Sequence, residues 1–143
     1  MRRTDQRRAA TFMCYQRDVT GAPVADLVDR KVPVPSSDGE PDDRPGAPPR
    51  PYTRELVEGV DQLREELDEL IEQNAIGWHV DRIAPLERAI LRVGLFEIVH
   101  RPDVPDEVAI DEAVESAKLY CGAEAPGFVN GVLGGALRQV RHG

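Results

Sequence analysis

The chain has 143 residues, with 18 Lys and Arg against 26 Asp and Glu for a formal net charge of −8. That length suits one domain with a core of its own, and the acidic balance argues against general nucleic-acid affinity, although a local basic patch still acts within the ~8–10 Å screening distance. No apolar run approaches the roughly 20 residues that span a bilayer, the basic N-terminus has no apolar signal core, and Cys14 and Cys121 lack CxxC spacing, so the expectation is a cytosolic chain with reduced, buried thiols.

In chain order, "MRRTDQRRAATFMCYQRDVT" predicts a first helix over about 4–19, ended by Gly21 and Pro23. Arg2, Arg3, Arg7 and Arg8 crowd its start, and Phe12, Tyr15 and Val19 begin what reads as an inward stripe. Cations at a helix N-terminus oppose the dipole, which favours anions there. They point either to a polyanionic partner or to a merely solvated terminus. "VADLVDR" suits a short second helix. Residues 31–51 are rich in proline, with only two valines as apolar side chains, and predict a mobile loop. Residues 52–74 read as one long helix whose seam is Leu56, Val60, Leu63, Leu67 and Leu70.

After a connector holding the only Trp, Pro85 opens a helix that is apolar over a wide arc and therefore central. Its charged residues include Glu87, Arg88, Arg92 and Glu97. Pro105 starts a further helix with Asp106 and Glu107 in its first turn, where the dipole favours them. The final helix, "APGFVNGVLGGALRQV", keeps an apolar stripe through Val129, Val132, Leu133 and Ala136 despite its glycines. Each glycine weakens a helix by roughly 1 kcal/mol relative to Ala, so Gly131, Gly134 and Gly135 are expected where helices approach too closely for a side chain. Phe128 and Asn130 instead sit beside the free N–H groups of the helix start, as a binding surface would. No segment alternates with period two, and the fold class is all-α.

The chemistry of catalysis is missing from the sequence. The three histidines have no metal-ligand spacing, no phosphate-binding GxxxxGK[ST] loop occurs, and the glycines of "GFVNGVLGG" follow no strand. The residues argue against an enzyme, a metal site or a cofactor.

Taken together, "RRTDQRRAATFMCYQRD", "YTRELVEGV" and "LERAILRVGLFEI…VPDEVAIDEAVESAK…FVNGVL" resemble the bacterial NusB family of transcription antitermination factors. The resemblance covers nearly the whole chain except the Pro-rich stretch. It implies one domain over 1–143 built of two small helical bundles, about six to seven helices in all. It further implies a partner, the small-subunit ribosomal protein that doubles as NusE. With it the chain would bind the boxA element of nascent ribosomal RNA leaders, assisting RNA polymerase within an elongation complex that holds other Nus factors.

Residue by residue, the basic motif of the family matches Arg3 and Arg7 most closely, with Arg2 and Arg8 beside them, while Thr4 and Asp5 stand where relatives are often basic. Phe128 matches the aromatic that relatives present to RNA, Glu124 an acidic position next to it, and Asn130 follows in the same turn. Glu87, Arg88, Arg92 and Glu97 match positions that meet NusE. Ala125 stands where Ser is frequent, so a capping hydroxyl is missing. Two other readings stay open: an RNA-binding helper domain like that of ribosomal RNA cytosine methyltransferases, and a helical protein–protein adaptor whose arginines only solubilise it. Self-association into a homodimer, favoured by any apolar patch beside the short second helix, also stays open.

Overall fold

The computed structural model describes residues 2–28 and 51–142. The expected mobile loop at 31–51 lies outside them, apart from Pro51. Among the described residues there are seven α-helices and no strand: α1 (Arg3–Thr20), α2 (Val24–Val28), α3 (Pro51–Gln62), α4 (Arg64–Asn74), α5 (Pro85–His100), α6 (Asp106–Tyr120) and α7 (Ala125–His142). A short 3₁₀ turn, Val80–Arg82, precedes α5. The helices form two small bundles that share α5, one completed by α1, α2 and α3 and the other by α4, α6 and α7.

The sequence of α5 explains its place. Every residue from Ala89 to Ile98 is buried, the pattern of a helix surrounded on all sides. Two charged side chains, Arg92 and Glu97, are carried in with it, at 5% and 1% exposure. Buried charges persist only when paired. Arg92 reaches Asp68 of α4 at 2.7 Å and Asp18 of α1 at 3.4 Å, and Glu97 is met by Arg7 of α1 and Tyr52 of α3. The two ion-pair groups thus fasten α1, α3 and α4 to the central helix.

Helix ends follow local chemistry. α1 stops at Gly21, whose N–H still bonds the Arg17 carbonyl and whose φ of 73° turns the following chain out of the helix, a left-handed conformation that suits glycine. Pro85 occupies the first turn of α5, where a missing N–H costs nothing. Pro105 stands just before α6 rather than within it.

Three sequence expectations need correction. The long helix at 52–74 is divided at Leu63 into α3 and α4. The first half packs on α1 and α5 and the second on α7 and α5, so one straight axis would not serve both. The seam shifts accordingly: Leu67 and Ile71 are fully buried, whereas Leu63 and Leu70 are only partly so. Of the stripe of Phe12, Tyr15 and Val19, Tyr15 and Val19 face outward, Val19 being 54% exposed, and Phe12 is half-buried. The face of α1 that packs inward is instead Asp5, Arg7, Ala9, Ala10, Thr11, Met13 and Cys14, because small side chains allow close approach and Glu97 gives Arg7 a buried partner.

The third correction concerns the α7 glycines. A Cβ on Gly135 would lie 2.6 Å from Asn74 Oδ1 of α4, but one on Gly131 would meet open space and one on Gly134 only its own helix. Close approach elsewhere falls at Gly59, where a Cβ would sit 2.3 Å from the Phe96 ring, and at Gly94, 3.1 Å from Leu133.

Candidate nucleic-acid interface

The start of α1 carries the arginines, and the structure separates them by environment. Arg2 and Arg3 are exposed. Arg3 lies 3.4 Å from Asp103 and its guanidinium sits over the Tyr52 ring at 4.2 Å. Arg7 points the other way. Its Nε donates to both oxygens of Glu97 at 2.8 Å, and Nη1 lies 3.4 Å from Glu112. Burial alone would lower the pKa of Arg7, but the Glu97 carboxylate overrides it, and the net shift is upward, so the side chain stays charged. Tyr52 donates its hydroxyl to the same carboxylate; burial and that bond hold the phenol well above its usual range.

Arg8 differs again. It is half-buried, makes no ion pair among the described residues, and its Nε is enclosed without a hydrogen-bond partner. One turn further along α1, the Phe12 ring meets Tyr120 of α6 edge-on at 5.0 Å. Tyr120 ends α6, and the turn that follows delivers Glu124 and the start of α7. The outer face of α1 and the beginning of α7 are therefore joined through one aromatic pair.

At that end, a cleft of about 420 Å³ opens between the start of α5, the start of α7 and the connector before α5. Glu87, Glu124 and Phe128 line it, together with Trp78 and Arg82. Phe128 packs its inner side on the core and is only partly buried, while Ala125 before it is 4% exposed and seats the helix start. Burial raises the Glu87 carboxyl above the usual carboxylate range, and Glu87 in turn adds to the upward shift that burial gives the neighbouring Cys121 thiol. Asn130 is exposed on α7 but lies outside the cleft lining.

The remaining α5 positions face inward. Arg88 binds Asp18 at 2.8 Å and donates to the carbonyls of Val80 and Asp81. Arg92 and Glu97 are buried in the pairs described above. Of Glu87, Arg88, Arg92 and Glu97, only Glu87 lines a surface feature; the others tie helices together. Arg7 joins them as an interior residue. Sequence reading could not see this, because an arginine at a helix start looks alike whether it faces water or a carboxylate ninety positions away. It also passed over Trp78 and Arg82. The available signal was a lone Trp in a polar connector, directly after Gly77, with no periodic apolar neighbours.

No group of three or more His, Cys, Asp or Glu side chains able to hold a metal ion occurs among the described residues. None of the described helices is long and apolar enough to cross a membrane. What the fold presents is a helical binding module with aromatic, carboxylate and arginine side chains sharing one cleft and further arginines at the start of α1, beside Tyr52 and Asp103.

Comparison with known proteins agrees with that class. Residues 4–138 match the family model described as the NusB family. The transcription antitermination protein NusB of Rubrobacter xylanophilus is 43% identical over 140 residues, covering 98% of this chain and 93% of that protein. The protein of the same name from Symbiobacterium thermophilum is 42% identical over 144 residues, covering 99% and 92%. Among solved structures, a crystal structure of the antitermination factors NusB and NusE in complex with double-stranded RNA superposes with a TM-score of 0.76 at 26% identity, covering 96% of each chain. The chain belongs to the NusB family.

Proposed function

We propose that this chain is a transcription antitermination factor without catalytic activity. Acting in the cytoplasm, it binds the boxA element of nascent ribosomal RNA leaders together with NusE and promotes processive transcription by the RNA polymerase elongation complex. The observation that carries this reading is the arrangement of Phe128 and Glu124 in the cleft at the start of α7, which the Phe12–Tyr120 ring pair links to the face of α1 that carries Arg8, a cation with no ion-pair partner among the described residues. Single-stranded RNA is held by stacking on aromatic rings and by arginine contacts to phosphate. Arg2, Arg3 and Arg8 supply cations, Phe128 a stacking face, and Glu124 and Asn130 hydrogen-bonding groups for base edges.

Arg7, Arg88, Arg92 and Glu97 serve as positioning residues in this reading. They fix α1 and the connector against α5, and so fix where the exposed groups stand. Glu87 remains the contact for NusE or RNA at the cleft. A chain with net charge −8 and few unpaired cations binds RNA weakly alone, and a basic ribosomal protein supplies the missing charge. Affinity and specificity then belong to the heterodimer.

The test is titration of a boxA-type RNA into this chain with and without its own NusE, at several salt concentrations. Binding should be tight only with both proteins present, and log K should fall linearly with log salt, with a slope set by the phosphates neutralised. RNA affinity that NusE leaves unchanged would remove the heterodimer from the reading.

A further inference from the structure

Trp78 is the only tryptophan of the chain, and it is 52% exposed. It is not exposed because its segment is loose. Gly77, at φ 84°, turns the backbone, and the Trp78 N–H bonds the Ala75 carbonyl at 2.9 Å. Beyond it Val80 is buried and its N–H is held by Glu72 at 3.0 Å, Arg88 grips the Val80 and Asp81 carbonyls, and Ile83 is buried again. A connector pinned at Val80 and Ile83 leaves Trp78 and Arg82 directed into the cleft that they share with Phe128, Glu87 and Glu124. Arg82 is exposed and makes no ion pair among the described residues.

We infer that Trp78 and Arg82 complete a subsite for one unstacked nucleotide of the bound RNA, with Trp78 as a second stacking platform beside Phe128 and Arg82 as the contact to its phosphate. The inference rests on the RNA-binding function proposed above and adds residues and a base class to it. A cleft of this volume falls within the range of small-ligand pockets, and two aromatic faces in one cleft suit a flat base. The two carboxylates repel phosphate, so the base edge must face them and the phosphate must lie towards Arg82. Carboxylates accept hydrogen bonds from exocyclic amino groups, as in Glu or Asp pairing with cytosine N4. The subsite therefore favours an amino-bearing base over uracil. A protein segment fits less well, because an apolar anchor would leave Arg82, Glu87 and Glu124 without partners at the interface.

A single tryptophan makes the subsite directly readable. Labelled boxA-type RNA is titrated into the chain with its NusE, following RNA anisotropy, Trp78 emission after subtraction of the NusE signal, and acrylamide access to Trp78. Binding should quench Trp78 and shield it, with the same midpoint as the anisotropy. Trp78→Ala should weaken RNA binding between about 5-fold and 150-fold, with Trp78→Phe recovering much of the loss and melting temperatures of both variants near that of the parent. Arg82→Gln should reduce the slope of log K against log salt by about 0.7, the value for one phosphate on a single strand. An abasic scan of the RNA should find one position that relieves the quench, and uracil there should bind more weakly than cytosine or adenine.

RNA that binds by anisotropy while Trp78 emission, acrylamide access and the Trp78→Ala affinity stay unchanged would overturn the subsite and leave the function standing. NusE alone quenching and shielding Trp78 would overturn it too, by making the cleft a protein site. No RNA binding with NusE present would overturn the function and the subsite together.

Discussion

Arg7 and Glu97 stand ninety positions apart in the chain, yet one Nε–H of Arg7 lies 2.8 Å from both oxygens of the Glu97 carboxylate, inside the joint between α1 and α5. Tyr52 of α3 donates to the same carboxylate, so three helices converge on one buried charge. Removing one partner leaves the other desolvated and unpaired, which costs about 3–5 kcal/mol. Arg7→Ala should lose stability on that scale in urea denaturation. Arg3→Ala, whose ion pair with Asp103 is solvent-exposed, should change it by no more than ~1 kcal/mol. Equal effects of the two substitutions would mean that Arg7 is not held in the interior.

Phe128 and Val132 lie one turn apart on α7 but differ in burial, Val132 being 2% exposed and Phe128 only partly covered. A fully buried Phe replaced by Ala costs about 3–5 kcal/mol, and Phe128→Ala should fall below that range. It should instead weaken boxA binding by roughly 1–3 kcal/mol, the worth of one stacked base. Val132→Ala should do the reverse, lowering the denaturation midpoint with RNA affinity per folded molecule unchanged. Equal destabilisation by the two variants with RNA affinity intact would remove Phe128 from the interface.

The two thiols should react unequally. Burial pushes Cys14 up to about 12, the nearby Arg92 opposing it, while Cys121 is only half-buried and its upward shift is smaller. At pH 8, iodoacetamide should modify Cys121 and reach Cys14 only on unfolding, as peptide mapping would show. The shift also sets a pH dependence. Cys14 binds its proton more tightly folded than unfolded, so its contribution to stability is complete below the ordinary thiol range of ~8.5 and is lost as pH rises towards about 12. The stability difference between the parent and Cys14→Ala should narrow across that interval and stay flat below it.

Glycines of similar sequence context should answer a methyl group in opposite ways. A Cβ on Gly59 would enter the Phe96 ring, whereas one on Gly131 meets nothing. Gly59→Ala should cost about 1–3 kcal/mol by overpacking. Gly131→Ala should stabilise by about 0.4–1 kcal/mol, since the unfolded chain then loses less freedom on folding. A loss of stability at Gly131 would show that its side of α7 is already covered.

Much of the molecule was legible in the sequence because its causes are local. The apolar arc of Leu86, Ile90, Leu91, Val93, Leu95 and Ile98 marked α5 as central, Gly21 and Pro85 marked helix ends, and the motif "FVNGVL" with its companions marked the family. The period of a helix also shows which residues share a face, but not which face the protein covers. On α1, Tyr15 and Val19 looked inward by hydrophobicity, whereas the buried face holds Asp5 and Arg7. Only tertiary structure decides that, because a buried arginine is stable when a carboxylate from another helix meets it, and Glu97 arrives from α5. The break at Leu63 has the same origin, since α3 and α4 turn to satisfy different neighbours. The cleft is likewise a product of assembly: Trp78, Arg82, Glu87, Glu124 and Phe128 come from three separate segments, and no spacing within any one of them records that they meet.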